Sequence, residues 1–288
     1  MPDVPELPPI ADQPLSVVLL AHNDGAHLEQ VVAAWVTFLN GLDRDYEILL
    51  VDDASTDHTT RLLTLLTDRH GRVRVLRHAE RRGEGASLRM ALATARYPLL
   101  FYTVCDPRYR PGDLKRLLKE IDRVHLVSGY RAGLPVPPFW RCLGLLRRGL
   151  GRLVLGHADP PLPGWLGWKR HLVRQIVRVL FGVRTQDVTC PFRLARRSVF
   201  AHLPVQSEGV FAHVEILAKA NFLGCLLAEE VPLGDRNHPV SAADDGSDAL
   251  GRLLADGVRV FRHPDFGSAT AALLSAAKCD DPAKKSRR

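Results

Sequence analysis

Short, mostly apolar runs alternating with one-faced helical segments constrain this chain more than any other feature. Residues 15–20, 46–51, 73–76, 99–103 and 124–128 are runs of four to six residues, the pattern of strands buried on both faces of a sheet. Between them, apolar residues recur at helical spacing. Leu28, Val31, Val32, Trp35, Phe38 and Leu39 form one such stripe, and Leu62, Leu63, Leu65 and Leu66 form another. Leu88, Ala91, Leu92 and Ala95 follow Gly83-Glu84-Gly85, and Leu114, Leu117, Leu118 and Ile121 follow Pro111. Strands and helices in this rhythm predict right-handed βαβ units and an α/β fold, a single mostly parallel sheet flanked by helices. Further on, 187–197 reads as a polar loop, 208–221 as a helix, 226–231 as a last strand and 241–265 as one more helix.

The second strand runs abruptly into Asp52-Asp53-Ala54-Ser55-Thr56-Asp57. Ligands of open α/β sheets bind beyond the carboxyl ends of the strands. Three carboxylates in six residues do not belong in a core, because unpaired buried charge is expensive. The cluster therefore points to a ligand. The plainer alternative is a solvated turn with Asp57 capping the following helix.

Charge narrows the partners. The chain carries a formal +7, and its positive excess sits in residues 139–184, where nine arginines and lysines face one acid, Asp159. Trp140, Trp165 and Trp168 interleave with them, and 139–155 and 165–183 read as basic amphipathic segments suited to an anionic membrane surface. A solvated helix pair is the alternative. No apolar run reaches the length of a spanning helix. The first residues lack the basic and apolar regions of a secretory signal, and the five cysteines show no framework or metal spacing. A cytoplasmic protein, peripheral on the inner face of the membrane, is the expectation. Nucleic acid is not expected, since no recognition motif accompanies the charge. The expected layout is a loose lead-in (1–13), a main domain (14–241) containing the basic insertion 132–186, an extension (242–267) and a disordered tail (268–288).

Several stretches together carry a family resemblance. Ser16-Val17-Val18-Leu19-Leu20-Ala21-His22-Asn23-Asp24 resembles the opening strand and loop of family 2 glycosyltransferases, and Val51 to Thr59 resembles their Val-Asp-Asp-x-Ser-x-Asp-x-Thr signature. Arg82 to Ser87 resembles their Gly-x-Gly helix start, and Ser128-Gly129-Tyr130-Arg131 a Gly-x-Arg loop after the fifth strand. Residues 187–197 resemble the acceptor loop of the dolichyl-phosphate mannosyltransferase branch, and Arg236 with Ser241 echoes its domain end. The resemblance implies the GT-A (nucleotide-diphospho-sugar transferase) fold. It also implies transfer of a hexose from a GDP- or UDP-sugar to a polyprenyl (dolichyl-type) phosphate.

By resemblance, Asn23, Asp24, Asp52, Asp53, Asp57, Gly83 and Gly85 bind the donor. Carboxylates suit base N–H groups and ribose hydroxyls, and amides at a helix start suit an anion; a plain tight turn is the alternative for the glycines. Arg131, Asp187, Arg193 and Glu215 are assigned to the acceptor, with Asp24, Asp106 and Glu215 as bases for a hydroxyl. A lipid phosphate is already anionic and needs positioning more than a base. For Arg196 and Arg197 the reading is a surface salt bridge.

One departure matters. The family's metal-binding Asp-x-Asp appears here as Val104-Cys105-Asp106, followed by Arg108. Mg²⁺ or Mn²⁺ keeps one ligand at Asp106, a weakened site. Either Arg108 or Arg110 replaces the cation, with Asp106, Arg108 and Arg131 as the catalytic groups, or the chain is a decayed nucleotide-sugar-binding protein. A dinucleotide-dependent oxidoreductase is disfavoured, because no G-x-G-x-x-G follows the first strand.

Overall fold

The computed structural model describes residues 7–131, 177–179, 181–183, 185–223, 228–234 and 247–265. Most of the basic, Trp-containing segment lies outside them, as do Arg170, Arg174, Arg236, Ser241 and the tail.

Four βα repeats and a fifth strand appear as the hydrophobic rhythm requires: β1 (Leu15–Ala21), α1 (Leu28–Asn40), β2 (Tyr46–Asp52), α2 (Thr59–Arg69), β3 (Val73–Arg77), α3 (Glu84–Thr94), β4 (Leu99–Val104), α4 (Leu114–Glu120) and β5 (Leu126–Arg131). They are followed by β6 (Arg193–Arg196), α5 (Arg197–His202), α6 (Phe211–Leu223), β7 (Ala228–Leu233) and α7 (Ser247–Arg262). Seven strands among the described residues form one sheet in the order β3-β2-β1-β4-β6-β5-β7. Only β6 runs antiparallel to its neighbours, pairing with β4 and β5.

Alternate residues of a strand face opposite sides, and both sides are covered. Leu15, Val17 and Leu19 of β1 join Trp35, Leu63 and Leu117 in one core. Val18 and Leu20 join Leu88, Ala91 and Val214 in the other. Trp35 packs 5.1 Å from Phe101, and Phe101 meets Phe192 edge-on at 4.6 Å. That double burial explains why the strands read as unbroken apolar runs.

The region read as a polar loop, 187–197, is corrected: its second half is the interior strand β6, leading directly into α5. Arginines at both ends of β6 disguised it. Arg193 is fully buried and donates to the carbonyls of Val188 (2.8 Å) and His213. Arg196, expected in a surface salt bridge, is also buried. Its guanidinium donates to the carbonyls of Val124, Pro8, Ile121 and Asp122. Guanidinium groups that donate to backbone oxygens enter a core that lone charges cannot, although the Nε of Arg193 has no partner there among the described residues. The fifth strand runs on through Gly129–Arg131, so the expected Gly-x-Arg loop is strand. The helix expected from 208 begins at Phe211, leaving Ser207 to Val210 as loop.

Among the described residues no helix is long and apolar enough to cross a membrane.

Candidate active site

The carboxyl ends of β1, β2 and β4 lie side by side, with β1 between its two parallel partners. The loops leaving them are stitched together. Asn23, in the left-handed region at φ 59°, receives the Thr56 amide on Oδ1 at 2.9 Å. Its own amide donates to Ser55 Oγ at 3.0 Å. Asn tolerates that conformation; Ala54, at φ 53°, has no polar side chain to offset the steric cost.

The three carboxylates of the acidic stretch turn to different partners, and each of those partners belongs to their own chain. Asp52, fully buried, accepts from the Ser55 amide at 2.9 Å and the Thr60 hydroxyl at 3.2 Å, and Arg77 lies 3.3 Å away. Asp53 accepts from the amides of Arg82 and Gly83, each at 2.7 Å. Asp57 accepts from Gly25 (3.2 Å) and Thr59 (3.0 Å). Burial pushes the Asp57 carboxyl upward, yet the Thr59 and Gly25 hydrogen bonds hold it below its ordinary range.

The start of α3 corrects another expectation. The amides of Gly85 and Ala86, offered by the sequence to an anion, donate to the Glu208 carbonyl at 2.7 and 3.3 Å. The glycines allow that loop to approach. Gly83 sits at φ +93°, and a Cβ on Gly85 would stand 2.2 Å from the Ser207 carbonyl oxygen. Glu215 sets the loop's position by accepting from the Gln206 and Ser207 amides at 2.8 Å each, while Lys219 pairs with it at 2.7 Å. Glu215 and Arg193, assigned to the acceptor by resemblance, are thus both inside the fold. The sequence reading passed over a further pair: buried His213, stacked on Tyr102 at 5.7 Å, places Nε2 at 2.9 Å from Glu84 Oε2. Burial holds the His213 imidazole below its ordinary pKa, against the pull of Glu84. The Glu215–Lys219 spacing of four residues was the one local signal available for this face.

On the other side of the crevice, β4 ends at Val104, partly buried among apolar neighbours. Asp106 is gripped by Arg108, whose Nε lies 2.9 and 2.8 Å from the two carboxylate oxygens and whose Nη2 closes on Oδ2. Burial raises the Asp106 carboxyl, and Arg108 more than reverses this, leaving it below its ordinary range. A divalent cation needs several oxygen ligands. Val104 supplies none, the Asp106 oxygens are taken by a guanidinium, and no three acidic, imidazole or thiol groups converge among the described residues. The residues present do not fit the expected Mg²⁺ or Mn²⁺. Arg131 pairs with Asp187 at 2.5 and 2.8 Å and donates to the Thr189 hydroxyl at 2.8 Å. It stands near enough to Arg108 for the two cations to repel.

Asp24 joins the two sides. Its carboxylate accepts from the His22 amide at 2.9 Å. Burial, with Asp106 and Asp57 nearby, pushes its pKa up to about 6 from an ordinary 3.8. Because the folded value lies above the unfolded one, the folded protein binds the extra proton between them. Stability from this group is present at low pH and is lost as pH rises through about 6. Asp24→Asn is expected to flatten that slope, checked by urea unfolding at about pH 4.5 and about pH 7.

A family model described as Glycosyl transferase family 2 matches residues 16–203. The chain is 28% identical over 209 residues to a dolichyl-phosphate beta-glucosyltransferase of Drosophila melanogaster, covering 66% of this chain and 58% of that protein. It is 26% identical over 186 residues to an undecaprenyl-phosphate 4-deoxy-4-formamido-L-arabinose transferase of Pseudomonas aeruginosa, covering 64% of this chain and 48% of the other. It therefore spans about half the length of these curated relatives. Glucosyl-3-phosphoglycerate synthase of Mycobacterium tuberculosis superposes with a TM-score of 0.62 at 20% identity, over 88% of this chain and 82% of that one. At that identity the likeness establishes the GT-A fold alone. That enzyme has also been crystallised with Mn²⁺, uridine diphosphate and phosphoglyceric acid.

Proposed function

From the premise that this chain belongs to glycosyl transferase family 2, we propose that it moves a hexose from a GDP- or UDP-sugar to a polyprenyl (dolichyl-type) phosphate without a bound divalent metal. The observation that carries the reading is the grouping of loops and arginines at the carboxyl end of the sheet. The loops braced by Asp52, Asp53 and Asp57 form one wall, and the arginines at the ends of β4 and β5 form the other. Two anions must meet there, a diphosphate leaving group and a phosphate nucleophile, and Arg108 and Arg131 supply positive charge next to both. The names of the polyprenyl-phosphate relatives support the acceptor class.

In the transfer, an acceptor phosphate oxygen forms a bond to the sugar's anomeric carbon. The bond from that carbon to the nucleoside diphosphate breaks, and its electron pair leaves with the nucleotide. The acceptor is ionised at neutral pH, so no base is required. Orientation and charge stabilisation carry the rate. Asn23, Asp24, Gly83 and Gly85 shape the donor wall. Asp187 places Arg131 toward the acceptor side, and Asp106 places Arg108. We assign the basic Trp-containing segment to contact with the anionic inner face of the membrane.

The second reading, a nucleotide-sugar-binding protein without activity, is favoured by Val104 and by the Arg108-covered Asp106. Radiolabelled UDP- and GDP-sugars with polyprenyl phosphate in excess chelator separate the two. A lipid-linked sugar is the expected product. Donor binding with no product under any metal condition supports the second reading, and absence of both removes the donor site altogether.

A further inference from the structure

The Asp106–Arg108 pair closes on itself within a single turn. Arg108 folds back over two residues to engage both carboxylate oxygens, and its own amide donates to Oδ1 at 2.8 Å. The side chains remain partly open to the crevice, 34% exposed for Arg108 and 20% for Asp106. A planar guanidinium fork that matches a carboxylate also matches phosphate oxygens. Arg131, the neighbouring cation, is more deeply buried and already paired with Asp187. Asp24 adds negative charge beside Asp106, so the carboxylate side of the pair is crowded with like charge.

We infer that Asp106 is a resting seat for Arg108: when a donor enters, the guanidinium leaves Asp106 for the diphosphate and supplies there the neutralisation that a divalent ion would give. The inference rests on the donor reading above and names the group that contacts the diphosphate. A partly exposed ion pair shifts an equilibrium by roughly fivefold or less. A charge-assisted bond to phosphate is worth roughly 10- to 100-fold, so the exchange runs toward the donor. The freed Asp106 carboxylate is then an acceptor for a hydroxyl of the bound sugar.

The two roles for Asp106 differ in sign, which makes the test direct. A metal ligand replaced by Asn weakens nucleotide binding, whereas a removed seat leaves Arg108 unheld and strengthens it. Binding of UDP and GDP to the full chain is measured by calorimetry in EDTA and in MnCl₂, for wild type, Asp106→Asn and Arg108→Ala. The expected result is wild-type affinity unchanged by EDTA and roughly twofold to fivefold tighter binding for Asp106→Asn. Arg108→Ala is expected to lose roughly 10- to 100-fold, with Arg108→Lys intermediate. Circular dichroism confirms that each variant folds, and the wild-type chelator arm needs no variant. Binding that requires Mn²⁺ keeps the donor reading and overturns the exchange. Weaker binding in Asp106→Asn, or unchanged binding in Arg108→Ala, also overturns it. No binding of either nucleotide with or without Mn²⁺ overturns the donor reading and the exchange together.

Discussion

Asp187→Ala is expected to lose about 3–5 kcal/mol of folding free energy, the largest effect of any single substitution in the crevice. Asp187 and Arg131 are 14% and 11% exposed, and two bonds of 2.5 and 2.8 Å join them. Removing the carboxylate leaves a guanidinium with little access to water, held by the Thr189 hydroxyl. The attraction holds Arg131 firmly protonated against the opposing cost of burial. The cost is that of the stranded charge rather than of the lost contact, and a double variant shows the difference. Asp187→Ala with Arg131→Met is expected to recover at least half the loss, because two apolar groups replace the pair without an orphan. Urea unfolding of the two single variants and the double variant closes the cycle. A loss below about 1 kcal/mol for Asp187→Ala would mean that the guanidinium reaches water, and that Arg131 is open to an acceptor without help from Asp187.

Gly85→Ala comes next. In an ordinary helix the change stabilises by about 1 kcal/mol. Here the new Cβ meets the Ser207 carbonyl oxygen at 2.2 Å and Ala212 Cβ at 2.9 Å. Neither neighbour is a flexible side chain. Either the loop moves, breaking the bonds from Gly85 and Ala86 to Glu208, or α3 moves, pulling on the turn that Asp53 holds at Arg82 and Gly83. The expected loss is about 3 kcal/mol, the upper range of overpacking, with weaker nucleotide binding in the fraction that folds. Gly71→Ala, with nothing within 4 Å, is the control and is expected to change stability by less than about 0.5 kcal/mol. Thermal and urea unfolding read both.

The parallel half of the sheet was legible because its strands are covered on both faces and its helices on one, so residue period alone separates them. The antiparallel strand β6 was hidden by arginine. Arg193 and Arg196 look like surface residues in any pattern of apolar and polar positions, and only the carbonyls that receive them explain their burial. The same long-range bonding moved Glu215 from acceptor group to internal brace. It also turned the start of α3 from an anion cradle into a contact with Glu208. The Val104 departure, by contrast, was visible in sequence because a ligand's absence needs no partner. The Arg108–Asp106 pair was half visible, since residues two apart in a turn can meet without help from the rest of the chain.

The side-chain bonds of the acidic stretch have a consequence for reading such proteins. Asp52, Asp53, Asp57, Ser55 and Asn23 each receive an amide from a loop at the sheet's end, and together they tie three separate segments into one frame. The signature therefore has an architectural role of its own, because losing one carboxylate unfastens a neighbouring segment before any ligand arrives. A motif match here measures carpentry. The departure at Val104 and Arg108 lies outside these bonds.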